Sequence, residues 1–218
     1  MTRHSLFSQK CWSFTLPRHE EYKRLINQIL LLDKTDPNFR LNEKGRSLKS
    51  QTQTNVYAWR SDWHLHDFFP VFKELCREVT PFLHDIIKEE KIKDTSVIET
   101  VNCWINKYKK GDFAQPHLHD VDLWSVIYFM NSPQDSQAVF RVHNPLGITY
   151  NSGLLENFRT LDINTEEGSV LIMSGAMRHE VTPNKSEEER ITVAMNFRMF
   201  DQFAGSPTRE EISNDNIL

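Results

Sequence analysis

The sequence has little glycine, little cysteine and no long apolar run. Its 218 residues include only seven glycines and three cysteines, against 14 phenylalanines and five tryptophans. Aromatic side chains supply a large buried area, so this balance predicts a well-packed globular protein rather than a low-complexity or disordered chain. The length suits one substantial core. We expect a single domain over 1–218, with a mostly helical buttress over 1–95 and a β-rich core over 96–200.

The scarcity of cysteine excludes two kinds of structural framework. Cys11, Cys76 and Cys103 are scattered and form no closely spaced pair. Neither a disulfide framework nor a thiolate zinc site is therefore predicted, and a reducing compartment is favoured. The longest apolar runs, such as 29–32 and 126–130, are too short to cross a bilayer. We expect a cytoplasmic protein that has no membrane partner.

The charged residues are unevenly distributed around a formal net charge of −4. Residues 1–110 contain 19 Lys and Arg against 14 Asp and Glu, whereas residues 111–218 contain seven against 16. The basic half has alternating signs and no dense Lys/Arg run, which is typical of a solvated surface. No nucleic-acid partner is expected. The expected partner is a small-molecule or peptide substrate, and a homodimer stays open as an assembly.

Hydrophobic periodicity divides the chain into a helical and a β-rich part. Apolar residues at helical spacing predict helices over 19–32 and 69–91, the second bent or broken at Pro81. The polar segment 33–53 between them is typical of a loop. After residue 95 the period changes to two, and β-rich runs follow at 96–108, 124–130, 138–142, 169–173 and 191–198. Helices followed by strands predict a mainly antiparallel sandwich or jelly roll, a mainly β fold with N-terminal helices (α+β).

Three histidines stand out as candidate metal ligands. His117 and His119 alternate on a predicted strand, so their imidazoles share one face and can bind one ion. His179 follows the predicted strand 169–173, where a connection between sheets could bring it to the first pair. Three protein ligands leave further coordination positions of the ion open, which suits a redox metal. His64 and His66 form a second pair at the same spacing, but no third ligand in a strand accompanies them, and we interpret them as ordinary surface or core-edge residues.

Arg190 is the candidate anion ligand. It opens a predicted strand on which period two places Arg190, Thr192, Ala194 and Asn196 on one face. A guanidinium and a neighbouring hydroxyl on one face can bind a carboxylate through charge-assisted hydrogen bonds.

These motifs, taken in order, resemble a known superfamily. The runs 101–111, 116–119 and 124–129, the strand 167–173, then His179 and Arg190-Ile191-Thr192 look like the 2-oxoglutarate- and Fe(II)-dependent oxygenases. The pattern is most similar to a branch of hydroxylases common in marine bacteria and their phages, which reads HxH where prolyl hydroxylases read HxD. This sequence departs from that branch at Asp120, Val126 and Phe129, where the branch has proline, glycine and tyrosine.

The resemblance implies a double-stranded β-helix (jelly-roll, cupin-like) core, with Fe(II), 2-oxoglutarate and O2 as cofactors. It implies the metal ligands His117, His119 and His179. Because Asp120 lies beside the histidine pair, a triad with Asp120 in place of His119 stays open. The far carboxylate of 2-oxoglutarate would bind Arg190, and the implied neighbours of this cosubstrate are Thr192, Tyr108, Asn106 and Tyr128.

The implied activity is a dioxygenase, in most cases a hydroxylase, that couples decarboxylation of 2-oxoglutarate to succinate with oxidation of a substrate such as a prolyl or other amino-acid side chain. Two alternatives keep the fold. One is a cupin-type metal enzyme that does not use 2-oxoglutarate, and the other is a non-catalytic binding module. Arg190 and Thr192 discriminate against the first, because such an enzyme needs no carboxylate site there.

Overall fold

The computed structural model describes residues 10–42, 55–91, 96–119, 123–144, 160–163 and 165–201. Within these ranges the chain forms helices and a short 3-10 turn, Gln134–Ser136. The helices are α1 (His19–Thr35), α2 (Leu65–Phe68) and α3 (Pro70–Glu89). The strands are β1 (Cys11–Thr15), β2 (Val56–Tyr57), β3 (Trp59–Arg60), β4 (Ser96–Tyr108), β5 (Phe113–His117), β6 (Leu123–Asn131), β7 (Phe140–His143), β8 (Thr160–Ile163), β9 (Ser169–Ser174), β10 (His179–Val181) and β11 (Arg190–Asp201).

Two antiparallel sheets face each other as a sandwich. The major sheet has the strand order β1-β9-β6-β11-β4-β3, and the minor sheet has the order β2-β5-β10-β7-β8. Most neighbours in each sheet are not consecutive along the chain, as in a jelly roll. The predicted fold class, a mainly β protein with N-terminal helices and a double-stranded β-helix core, is confirmed.

The major sheet is buried on both faces. On its outer face, helices α1 and α3 contribute Tyr22, Ile26, Phe72 and Leu75 to a core that they share with alternate residues of β4, β6, β9 and β11. On its inner face, a second cluster lies between the sheets and includes Ile127, Phe129, Phe140 and Leu171. Side chains of a strand alternate between its two faces, so successive residues of each central strand belong in turn to the outer core and to the inner cluster.

The helices follow the sequence prediction except at Pro81. Helix α3 runs without a break from Pro70 to Glu89 although Pro81 lies inside it, so the predicted break does not occur, while a bend at Pro81 stays a prediction. Proline removes one backbone hydrogen bond, but Val79 and Leu83 on either side are fully or almost fully buried in the outer core. Tertiary packing therefore compensates for the lost bond. Among the helices of the described residues, none is long and apolar enough to span a membrane.

The strands 96–108, 124–130, 169–173 and 191–198 of the sequence prediction correspond to β4, β6, β9 and β11. The short strands β1, β2, β3 and β8 were not predicted, because two to five residues carry too little periodic signal. A single domain over 1–218 stays a prediction.

Candidate active site

The three predicted histidines come together between the sheets. The ring centroids of His117 and His179 are 4.4 Å apart, those of His119 and His179 5.3 Å, and those of His117 and His119 5.5 Å. One ligand nitrogen of each ring lies within 4.8 Å of the others. The arrangement can therefore hold a single metal ion with one imidazole from each residue.

Each imidazole is oriented by a hydrogen bond at Nδ1. His117 bonds to the backbone oxygen of Gln115 at 2.7 Å, His179 to that of Met177 at 2.8 Å, and His119 to Oδ1 of Asn196 at 2.8 Å. A carbonyl oxygen only accepts, so each Nδ1 donates its hydrogen. The lone pair of each neutral ring is then on Nε2, which is the form in which histidine binds metals.

Two strands of the minor sheet and one turn position the triad. His117 ends β5 and pairs directly with His179, the first residue of β10. The strand does not continue to His119, so the expectation that the pair shares a strand face is wrong in its geometry. His119 lies two residues beyond β5, where its backbone N–H donates to the oxygen of Gly175 at 2.8 Å. A connecting segment, and not the alternation of a strand, therefore brings His119 next to the other two histidines.

Burial keeps two of these rings neutral. The interior lowers the pKa of His179 to about 3, chiefly because burial disfavours the charged ring, with His117 and His119 adding to the effect. Burial also lowers the pKa of His117. A neutral imidazole presents a lone pair, so this environment suits metal binding.

A cavity of about 350 Å³ extends from the triad across the inner face of the major sheet. Its floor is a grid of side chains set by the strand register. Asn102, Asn196 and Ser125 form the first row, Trp104, Ala194 and Ile127 the second, and Asn106, Thr192 and Phe129 the third. Tyr108 and Arg190 pair in a fourth row. The predicted shared face of Trp104, Asn106 and Tyr108 does line this cavity.

Arg190 is buried at the far end of the grid. Its side chain is only 1% exposed, and its guanidinium carbon lies 5.4 Å from the ring of Phe129 and 6.0 Å from that of Tyr108. Both rings line the triad cavity, whereas Arg190 itself lines a second, adjoining cavity together with Thr165. The cation therefore lies just behind the wall of the triad cavity.

The guanidinium is incompletely satisfied. Nη2 donates to Thr165 Oγ1 at 3.1 Å, but Nη1 is buried without a hydrogen-bond partner among the described residues. Burial lowers the pKa of Arg190, although arginine stays charged in proteins. A buried cation with an unpaired donor is costly, and an anionic ligand would relieve that cost.

The candidate neighbours of a cosubstrate divide into two groups. Thr192, Asn106 and Tyr108 line the cavity. Burial raises the pKa of Tyr108 to about 12, so its phenol keeps the hydrogen that it can donate. Tyr128 is the exception, because it lies on the opposite face of β6 and bonds to His19 Nδ1 at 2.7 Å. The structure does not bring Tyr128 to the cavity, and the expectation that it contacts the cosubstrate is corrected.

The sequence analysis also raised an alternative triad with Asp120 and a second histidine pair. Asp120 lies outside the described residues, so the alternative triad is not tested. His64 and His66 do have a third potential ligand, since donor atoms of His64, His66 and Asp67 lie within 4.8 Å of one another. None of these three residues lines the triad cavity.

Three contributors to the site were not singled out by the sequence: Asn196, which holds His119, and the cavity-lining pair Arg60 and Trp63. Asn196 shares a strand face with Arg190 and Thr192, and this shared face could have indicated that Asn196 belongs to the site. Arg60 and Trp63 lie in a polar segment without periodicity, and nothing in the sequence marked them.

Comparison with known proteins agrees with this geometry. Residues 102–196 match the family described as "Putative 2OG-Fe(II) oxygenase". No curated protein matches the sequence. Among solved structures, a prolyl-4-hydroxylase from Pseudomonas putida aligns over 88% of this chain and 94% of its own, with 16% identity and a TM-score of 0.60. HygX from Streptomyces hygroscopicus, solved with nickel and 2-oxoglutarate, aligns over 89% and 84%, with 12% identity and a TM-score of 0.56.

A 2OG-Fe(II) oxygenase family oxidoreductase from Burkholderia pseudomallei aligns at 21% identity over 47% of this chain, with a TM-score of 0.38, and the chain spans 46% of the length of that protein. At these identities the prolyl-4-hydroxylase and HygX structures establish the fold alone. Fe(II), 2-oxoglutarate and O2 are the cofactors of that family. The family match covers residues 102–196, which contain the three histidines and Arg190 and make up somewhat less than half of the chain.

Proposed function

We propose that the protein is a 2-oxoglutarate-dependent hydroxylase that binds Fe(II) through Nε2 of His117, His119 and His179. The observation that carries this proposal is the common orientation of the three rings. All three donate Nδ1–H to a carbonyl oxygen at 2.7 or 2.8 Å, and one ligand nitrogen of each ring lies within 4.8 Å of the others, which is close enough for a single ion. Hydrogen bonds of this kind fix both tautomer and ring orientation in metal sites.

We place the cosubstrate between the triad and Arg190. We assign its far carboxylate to Arg190, whose Nη1 has no partner among the described residues. Thr192 and Tyr108 supply neutral hydroxyl donors on the way, and Asn106 bonds to Thr192 Oγ1 at 3.5 Å. Charge-assisted hydrogen bonds to a guanidinium are the strongest that a carboxylate can receive in a dry site.

The balanced reaction is R–H + 2-oxoglutarate + O2 → R–OH + succinate + CO2. The iron, when bound, supplies the redox chemistry that couples loss of CO2 from 2-oxoglutarate to oxidation of the substrate C–H bond. The residues of this chain hold the metal, orient the cosubstrate and exclude bulk water, which is the part of such a reaction that the protein controls. A prolyl or other amino-acid side chain is one substrate compatible with a cavity of about 350 Å³.

The direct test is anaerobic addition of Fe(II) and then 2-oxoglutarate to the purified protein. We expect the visible metal-to-ligand charge-transfer band that arises when a 2-oxo acid chelates Fe(II). His179→Ala removes one of three ligands and should abolish the band, because the remaining two imidazoles leave the ion incompletely held.

His64→Ala is the matched control, since His64 belongs to the other histidine pair and does not line the cavity. It should leave the band intact. A folded wild-type protein that gives no band, or a His179→Ala variant that keeps it, would contradict the proposal.

A further inference from the structure

A second cluster of metal-ligating side chains lies outside the triad cavity. His64, His66 and Asp67 each offer one donor atom, and the three atoms lie within 4.8 Å of one another. None of these residues lines the triad cavity, although Trp63, the residue before His64, does. The cluster therefore lies beside the wall of that cavity and shares no ligand with the triad.

The backbone holds these ligands in place before any ion binds. His64 forms an isolated β-bridge with Cys103 of β4, and the N–H of Cys103 donates to the oxygen of Trp63 at 2.8 Å. The N–H of Asp67 donates to the oxygen of His64 at 3.0 Å, at the start of α2. Leu65 between them is only 2% exposed and belongs to the outer core. Little backbone freedom therefore has to be lost when an ion binds.

The ring of His66 is fixed and faces the carboxylate. Its side chain is only 13% exposed, and its Nε2 lies 3.7 Å from Oδ1 of Asp67. That separation is too long for a direct hydrogen bond. It is close to the spacing of about 3.3 Å between two ligand atoms that are each about 2.0–2.1 Å from a tetrahedral ion.

The surroundings also favour the form of His66 that binds metals. Burial lowers the pKa of His66, and the neighbouring His64 adds to that effect. A neutral ring presents a lone pair to a cation.

The donor set indicates which ion would bind. Two imidazole nitrogens and one carboxylate oxygen suit Zn2+, which takes such ligands in a tetrahedral arrangement and can complete it with water. Mg2+ and Ca2+ prefer sites made of oxygen atoms. Fe(II) binds nitrogen and oxygen ligands less tightly than Zn2+ does.

We propose that His64, His66 and Asp67 form a second metal site, which binds Zn2+ and is independent of the histidine triad. The fourth position is open to water. The inference does not rest on the proposed function, because none of the three ligands belongs to the triad.

The test is equilibrium dialysis of the metal-free protein against Zn2+ alone, with bound zinc measured by mass spectrometry. Asp67→Asn keeps the shape of the side chain and removes the anionic ligand. It should raise the Zn2+ concentration that half-saturates this site by about tenfold or more. The wild type should therefore bind one more equivalent of zinc than Asp67→Asn does at the same low free Zn2+ concentration.

A variant without the triad assigns that equivalent. His117→Ala/His179→Ala leaves one triad imidazole, and we expect it to retain the equivalent of zinc that Asp67→Asn loses. Adding Asp67→Asn to this variant should remove it.

His84→Ala is the matched control. His84 and Asp85 are exposed neighbours on α3, and they belong to no such cluster among the described residues. This variant should bind as much zinc as the wild type. A loss of the same equivalent in His84→Ala would show that zinc binds to scattered surface histidines, and would overturn the inference. Equal zinc uptake by the wild type and Asp67→Asn, or no uptake by the variant without the triad, would also overturn it.

Discussion

At the scale of single residues, the proposed metal site depends on the atom that accepts the Nδ1 hydrogen of each histidine. His117 and His179 use backbone oxygens that no substitution removes, whereas His119 uses the side chain of Asn196. Asn196 is itself held, because its Nδ2 donates to Asn102 Oδ1 at 3.3 Å. A side-chain relay from β4 through β11 thus fixes the one triad histidine that lies outside a strand.

Asn196→Ala should weaken Fe(II) binding, because His119 loses the acceptor that sets its tautomer and ring angle. The expected loss of affinity is about 10- to 100-fold, measured by anaerobic Fe(II) titration. Asn196→Asp keeps an acceptor oxygen and should retain most of the affinity. Asn102→Ala, one step further from the ring, is the control and should have a smaller effect. Equal affinity in wild type and Asn196→Ala would show that the relay is unimportant.

Arg190→Met should weaken 2-oxoglutarate binding and spare the metal. Loss of charge-assisted hydrogen bonds costs about 1.5–3 kcal/mol, so the KM for 2-oxoglutarate should rise roughly 10- to 100-fold. Steady-state succinate formation measures this, and the Fe(II) titration midpoint is the internal control. An unchanged KM, or a loss of metal affinity instead, would place the far carboxylate elsewhere.

At the scale of elements, helix α1 is joined to the sheet beside a turn that requires glycine. Gly168 precedes β9 with a φ of +83°, and a Cβ placed there would lie 3.0 Å from Cγ of His19 in the first turn of α1. Gly111 has a similar φ of +86° but nothing within 4 Å of such a Cβ. The two glycines share a backbone requirement and differ in their surroundings.

Gly168→Ala should destabilise the fold more than Gly111→Ala. Both substitutions place alanine in the left-handed region, at a cost of about 1–2 kcal/mol, and only the first also displaces the His19 ring from Tyr128. Denaturant unfolding of both variants gives the comparison. The difference in unfolding free energy reports the contact with α1, and equal losses would mean that His19 moves aside without cost.

At the scale of the whole molecule, the proposed metal site joins the two sheets. His117 and His179 belong to the minor sheet, and His119 is tied through Asn196 to the major sheet. A bound ion therefore adds a connection between layers that otherwise meet through the apolar cluster around Ile127, Phe129 and Phe140.

Metal binding should consequently stabilise the fold. Free Fe(II) at 100 times its Kd contributes about 2.7 kcal/mol, which for a chain of this size corresponds to a rise in Tm of roughly 5–10 °C. Anaerobic thermal unfolding with Fe(II) and with a chelator measures it. His179→Ala should show no such rise, and a similar rise in that variant would locate the stabilising ion at another site.

Local sequence determined a large part of this protein. The spacing of apolar residues was sufficient for α1 and for the long strands β4, β6, β9 and β11, because a helix face or a strand face is a local property. Short motifs also predicted the three histidines and Arg190 as site residues, since metal and carboxylate chemistry restrict the residue types that can serve.

Tertiary structure alone decided which of these residues meet. His119 reaches the triad from a connecting segment, Arg60 and Trp63 join the cavity from a segment without periodicity, and Pro81 is tolerated because the outer core holds α3 together. Tyr128 was assigned to the wrong side because β6 is buried on both faces, so no alternation of polar and apolar residues distinguishes the cavity from the helical layer. Which face of a doubly buried strand meets the metal depends on contacts between residues far apart in the chain, and these exist only once the two sheets have packed.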